Sequence, residues 1–180
     1  NAIISTYKHR MNLTLFKNAA HITPWTNWVA QSLVNDYGVS SSRLTVIPVG
    51  VDLELWKPKA SQTDGIVRFL FVGGDFYRKG GDLLLEAFQQ LPVGNAELIL
   101  VTPELIPASE NIRVYNNLQP NSPELIELFQ ESDVFVLPTR AEAYGIVAIE
   151  AGASGLPVIM TDIGGVSDIV QDNQTGYLIQ

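Results

Sequence analysis

Two glutamates, Glu142 and Glu150, stand eight positions apart in the stretch Asp133–Asp162, DVFVLPTRAEAYGIVAIEAGASGLPVIMTD. An ionised carboxylate accepts two hydrogen bonds side by side, so such a pair suits a ligand rich in hydroxyl groups. A second group is Arg78-Lys79-Gly80, near the end of the Gly-rich run GGDFYRKGG at residues 73–81. Two cations beside a backbone that Gly73 and Gly74 leave open to close approach suit an anion such as a diphosphate. Taken singly, neither is specific: two glutamates at this spacing are common on solvated helices, and Arg-Lys-Gly reads equally well as a tight turn with two solvated cations.

The elements around these residues decide between the readings. Val134 to Pro138 has the composition of a buried strand, and a polar loop follows it. Gly145 then opens a run with apolar positions at Ile146, Val147, Ile149 and Ala153, the spacing of a packed helix, and Pro157 to Thr161 forms the next strand. Glu142 therefore precedes a helix mouth and Glu150 sits about one turn inside it. The free N–H groups and positive dipole end at such a mouth favour an anion. Ile66 to Val72 is a nearly continuous apolar run, as expected of a central parallel strand, and the Gly-rich turn leads from it into a helix over Asp82 to Gln90.

Further strands are predicted at Glu97–Thr102, Ile112–Tyr115 and Gly176–Ile179. Asn121 or Ser122 caps a helix with Pro123 in its first turn and a core face of Leu125, Ile126, Leu128 and Phe129. Ile163–Ile169 reads as a Gly-hinged turn into a short helix. The alternation implies an α/β fold with a doubly wound parallel sheet. In the strand order 3-2-1-4-5-6, the first and fourth strands are neighbours and ligands bind beyond their carboxyl ends. The loop holding Gly73, Gly74, Arg78 and Lys79 and the loop holding Glu142 to Gly145 then face one crevice.

Ahead of this sheet, residues 1–17 read as a helix, His21-Ile22-Thr23 as a short strand, Pro24–Tyr37 as an amphipathic helix ended by Gly38, and Leu44–Pro48 as a strand paired in parallel with the first. This is a partial second α/β unit. KPKASQTD, residues 57–64, is polar and aperiodic, which marks a linker. The expected organisation is a first unit and hinge over 1–56, the linker over 57–64 and the main domain over 65–180.

Composition excludes several classes. The chain has 180 residues, 46% hydrophobic, a net charge of −8 and a pI near 4.6. It lacks the basic patch of a nucleic-acid binder. With no cysteine, two separated histidines (His9 and His21) and no Asp-x-Asp, neither a metal site nor a cofactor is expected. No apolar run approaches the roughly 20 residues of a spanning helix. A cytoplasmic protein is expected, and the absence of an initiator Met reads as a start inside a longer chain.

The string Glu142-Ala-Tyr-Gly-Ile-Val-Ala-Ile-Glu150-Ala-Gly-Ala-Ser-Gly-Leu-Pro-Val resembles the E-x7-E signature of retaining, nucleotide-sugar-dependent glycosyltransferases of the two-domain GT-B architecture, group 1 or family 4. The resemblance runs from Ala20 to Ile179. It implies that the main domain is the Rossmann-like donor-binding half and that the preceding unit ends an acceptor domain. Ile47-Pro-Val-Gly-Val-Asp52 resembles the family's IPNGVD hinge turn, with Val49 in the Asn position. In the loop that commonly reads G-R-x-x-x-x-K-G, Lys79-Gly80 matches the end while Gly74 holds the Arg position, and Arg78 is the substitute cation.

By this resemblance Arg78 and Lys79 bind the donor diphosphate and Glu142 holds a sugar hydroxyl. Ala143 and the backbone of Tyr144, Gly145, Ile146 and Val147 line phosphate and ribose, and Glu150 takes the ribose hydroxyls. The base lies near Asn116 to Leu118, where Asn116 replaces the family's usual Gly. The implied partners are a UDP, GDP or ADP sugar, an unidentified acceptor and the remaining N-terminal domain, through which a peripheral membrane contact is open. Alternatives are a GT-B relative such as a sugar-nucleotide epimerase or a phosphorylase, and a domain that binds a nucleotide sugar without catalysis. A dinucleotide-dependent dehydrogenase is disfavoured by the lack of G-x-G-x-x-G.

Overall fold

Strands β1 (Val67–Val72), β2 (Ala96–Val101), β3 (Ile112–Tyr115), β4 (Val134–Leu137), β5 (Val158–Thr161) and β6 (Gly176–Ile179) form one sheet in the computed structural model, which describes residues 2–58, 64–92 and 94–180. Every pairing is parallel and the order is β3-β2-β1-β4-β5-β6, the doubly wound order expected from the sequence. Helices α1 (Ala2–Asn18) and α2 (Asn27–Asn35) precede the sheet, and α3 (Gly81–Gln89), α4 (Pro123–Glu131) and α5 (Ile146–Ala153) connect its strands. The central strands are apolar on both faces because both faces are covered. Leu70, Phe71, Leu98, Ile99, Leu100, Phe135 and Leu137 are fully buried.

The helices start where side-chain chemistry allows. Ser122 caps α4 by accepting from the Leu125 N–H at 3.3 Å, with Pro123 in the first turn, and Thr26 caps α2 by accepting from the Val29 N–H at 3.0 Å. By contrast, α3 and α5 begin at Gly80 and Gly145, with φ of 75° and 95° and no side-chain cap. These two helices follow β1 and β4, the neighbouring strands at the winding reversal. At the opposite end of the sheet, Arg68, 8% exposed, pairs with Asp64 and Glu97, and Arg113 pairs with Glu97 and Glu131. A buried guanidinium needs such partners to offset its lost hydration.

Three expectations change. The chain divides into compact units Asn1–Val49 and Gly50–Gln180, so the first unit ends earlier than residue 56. Trp56 is the cause: it is 2% exposed and packs edge-on against Phe129 at 4.9 Å, which places the hinge segment in the core of the second unit. The Asp52 carboxylate accepts from the Glu54 N–H at 2.9 Å, which sets the turn that follows the IPVGVD hexapeptide. Of the linker over 57–64, residues 59–63 lie outside the described residues. Gln130 donates to Lys57 O at 3.3 Å, which holds the start of that segment on α4.

The second change is in the first unit, where the two expected strands reduce to a single parallel bridge, Ile22 with Leu44. The hydrogen bonds from Ile22 N to Arg43 O and from Thr45 N to Ile22 O are those of a parallel pair. Arg43 also donates to Phe16 O at 2.8 Å and to Ala19 O, closing the carbonyl end of α1 with a cation. The third concerns α5, whose inward face is Ala148 and Ala151 while Ile146 is 41% exposed. Small residues seat this helix close to the sheet, and that brings its N-terminus near the strand ends.

Candidate active site

The loops after β1 and β4 run side by side in one register. Tyr77 O accepts from Arg140 Nη1, Ala141 O accepts from Arg78 Nη1 at 2.8 Å, and Lys79 Nζ forms an ion pair with Glu142 Oε2, each pair 63 positions apart. A backbone bond from Arg140 N to Arg78 O at 2.9 Å lies among them. Buried Thr139 adds its hydroxyl, 3.2 Å from Arg78 O and 3.0 Å from Ala141 O. The expected convergence of the two loops is therefore direct contact.

Glycine makes the contact possible. A Cβ on Gly80 would stand 1.9 Å from Pro138 O, and one on Gly164, in the loop after β5, would stand 2.1 Å from Glu142 O. Both glycines have positive φ, which L side chains rarely adopt. Gly165 N donates to Ala143 O at 3.1 Å, so a third loop braces the Glu142 segment from behind. Gly73 is enclosed by Phe71 and Lys79, whereas a Cβ on Gly74 meets nothing within 4 Å.

The two glutamates stand in opposite electrostatic settings. Burial pushes the Glu142 carboxyl up, but the Lys79 ammonium and the N–H groups of Tyr144 and Ala143 outweigh it and hold the group below the usual glutamate range. Glu150 is half-buried on α5, its carboxylate has no hydrogen-bond or ion-pair partner among the described residues, and burial raises its carboxyl. A carboxylate without a partner, on the first turns of an uncapped helix, is a ready acceptor for ligand hydroxyls.

The structure brings Lys79, Glu142, Ala143, Gly145 and the start of α5 together. Tyr144 is buried, and Ile146 and Val147 form the first turn of α5. Arg78 lies in the same loop, yet its guanidinium is engaged by Asp75 at 3.1 Å and by Ala141 O. Asn116 donates to Thr102 O at 3.1 Å and Glu104 O at 2.6 Å, tying the loops after β2 and β3, and Leu118 packs on the core. Three contributors escaped the sequence reading: Thr139, Arg140 and Asp82. Arg140 stands in the stretch Asp133–Asp162, two residues before the E-x7-E string begins at Glu142, and a cation so placed was the available signal. A separate apolar hollow of about 510 Å³, with Val51, Leu53, Ile149 and Val170 among its walls, has no ionisable group in its lining and does not suit a diphosphate.

Among the described residues, no group of three His, Cys, Asp or Glu side chains is placed to hold a metal ion. The family description "Glycosyl transferases group 1" matches residues 54–180. A D-inositol 3-phosphate glycosyltransferase of Pseudarthrobacter chlorophenolicus is 33% identical over 89% of the chain and 44% of its own length. Among solved structures, a sucrose-phosphate synthase of Thermosynechococcus elongatus superposes with a TM-score of 0.79, at 24% identity, over 97% of the chain and 48% of its own. Anabaena Alr3699/HepE, solved with UDP and glucose, superposes with a TM-score of 0.76, at 19% identity, over 98% of the chain and 54% of its own. These structures share the fold. The chain spans about half the length of the relatives it matches.

Proposed function

Because the chain belongs to the group 1 glycosyltransferases, we propose that it is the donor-binding part of a retaining enzyme that moves a sugar from a nucleotide to an acceptor hydroxyl. One observation carries this reading: the Lys79–Glu142 pair lies at the uncapped mouth of α5, with the unpartnered Glu150 carboxylate on the same helix. Lys79 and the α5 N-terminus offset the charge that develops on the diphosphate as the glycosidic C–O bond breaks. Glu142 accepts from a hydroxyl of the sugar, and Glu150 from the two ribose hydroxyls. The base lies toward the loop after β3, three strand spacings or about 14 Å from β4. UDP is the first nucleotide to try, since HepE was solved with it.

Transfer itself belongs to the full-length protein, in which the first unit would continue an acceptor domain. No helix among the described residues is long and apolar enough to cross a membrane. Calorimetric titration with UDP, GDP and ADP and their sugars tests the reading. Saturable binding of at least one supports it, and no heat from any of them at millimolar concentration overturns it.

One observation favours a second reading, binding without transfer. Gly74 stands where the related loop carries Arg, and Arg78 is held by Asp75 and Ala141 O, so a cation is lost from the phosphate position. Transfer to any acceptor, or hydrolysis of the donor, by the full-length protein decides for the enzyme.

A further inference from the structure

Arg140, in the loop after β4, reaches past the neighbouring loop to a helix. Its Nη1 and Nη2 donate to Asp82 Oδ1 at 2.7 Å and Oδ2 at 2.9 Å, and Nη1 also donates to Tyr77 O. Asp82 lies in the first turn of α3, three residues after Lys79, and Arg140 lies two before Glu142. In the loop after β4, the contacts of Arg140 with Tyr77 O and Asp82 and the pair of Glu142 with Lys79 flank the Arg78–Ala141 bond. We propose that Arg140 is a positioning residue, whose two-pronged grip on Asp82 and bond to Tyr77 O fix the loop register in which Lys79 meets Glu142.

The chemistry of the bridge fits that role better than one in stability. Both side chains are more than a third open to solvent, 44% and 34%, and exposed ion pairs contribute little to stability. A planar guanidinium on both oxygens of a carboxylate does fix direction. The anchor is a helix, and the bond to Tyr77 O sets the first of the three contacts that share the 63-residue offset. A lysine at 140 would keep the charge and lose the fork. Losing the grip would let the Glu142 segment move with respect to Lys79, and a displacement near 1 Å costs a catalytic constellation on the order of 100-fold.

The kinetic part of the test rests on the function proposed above; the spectroscopic part does not. Full-length protein with ¹³C-labelled glutamate is prepared as wild type, Arg140→Ala, Arg140→Lys, Asp82→Asn and the double variant Asp82→Asn/Arg140→Ala. Positioning predicts that Arg140→Ala moves the Glu142 carboxyl titration upward, that Arg140→Lys recovers part of the shift, and that the double variant is no worse than either single one. With a UDP sugar, kcat falls roughly 10- to 100-fold while donor KM changes less. An unmoved Glu142 titration overturns the proposal, as does a loss confined to melting temperature with kcat intact. So does additivity of the two substitutions. Asp82→Asn keeps the shape of the side chain and decides the matter if Arg140→Ala does not fold. A wild type that transfers nothing would sink the functional reading, and the titration would still decide the role of Arg140.

Discussion

Lys79 and Glu142, 63 positions apart, form an ion pair that bridges the loops after β1 and β4, with the two side chains only 15% and 12% exposed. Neither group is left to water, so each is the main electrostatic partner of the other until a ligand enters.

That pairing fixes a pH dependence. Glu142 ionises more readily in the folded chain than in the unfolded one, so it adds stability above the ordinary glutamate range, about pH 4.3. The contribution is lost as pH falls through the lower folded value. Lys79→Met removes the strongest influence that lowers the Glu142 carboxyl and leaves burial opposed only by the Ala143 and Tyr144 N–H groups, so the acid-side loss of stability should shrink. Melting temperature recorded from about pH 3 to pH 7 checks this. The variant's curve should show a smaller acid-side fall, and parallel curves for the two proteins would show that the pair contributes nothing.

Glu150 is expected to trade stability for binding. Its folded carboxyl is raised by burial with no compensating donor, so the ionised form is disfavoured in the folded state at neutral pH. Glu150→Gln should raise the melting temperature of the ligand-free protein at pH 7 and lose this advantage as pH falls through the raised folded value toward the ordinary glutamate range. The same variant should weaken ribonucleotides and leave deoxyribonucleotides nearly unaffected. Calorimetry with UDP and dUDP reads the second effect. Equal losses for both would place Glu150 away from the ribose.

Gly164 should tolerate nothing larger. A Cβ there meets Glu142 O at 2.1 Å at a positive φ, and forcing room costs about 1–3 kcal/mol. Gly164→Ala should therefore lower stability and nucleotide affinity together, because the displaced atom belongs to the site. Gly74→Ala, with no protein atom within 4 Å of the added Cβ, should leave stability nearly unchanged. Denaturant unfolding and nucleotide titration of the two variants make the comparison, and equal behaviour would refute the bracing role of the third loop.

Turnover by the full-length protein is expected to survive excess EDTA. If Lys79 and the N-terminus of α5 carry the charge of the leaving diphosphate, no divalent ion is required there. Lys79→Ala should then reduce kcat on the order of 100-fold or more, the usual loss when one charge-stabilising group is removed. Loss of wild-type activity on chelation, restored by Mn²⁺, would assign the charge to a metal instead.

By itself the sequence determined the strand pattern, the helix caps and the strand ends that carry the candidate site. These are local matters: runs such as VRFLFV and VFVL are continuously apolar, Ser122 and Pro123 mark a helix start, and Gly80 and Gly145 mark turns that no other residue takes cheaply. The order of strands followed from handedness, and with it the meeting of two loops far apart in sequence. What only the tertiary structure decided is partnership. The fact that Arg78 turns to Asp75 and Ala141 O, that Arg140 and not Arg78 reaches Asp82, that Trp56 draws the hinge into the second unit, and that the Glu150 carboxylate is left with no partner depends on distances between loops. A side chain's choice among several acceptors of similar strength is set by which of them packing brings within about 3 Å, and residue type and spacing do not encode that choice.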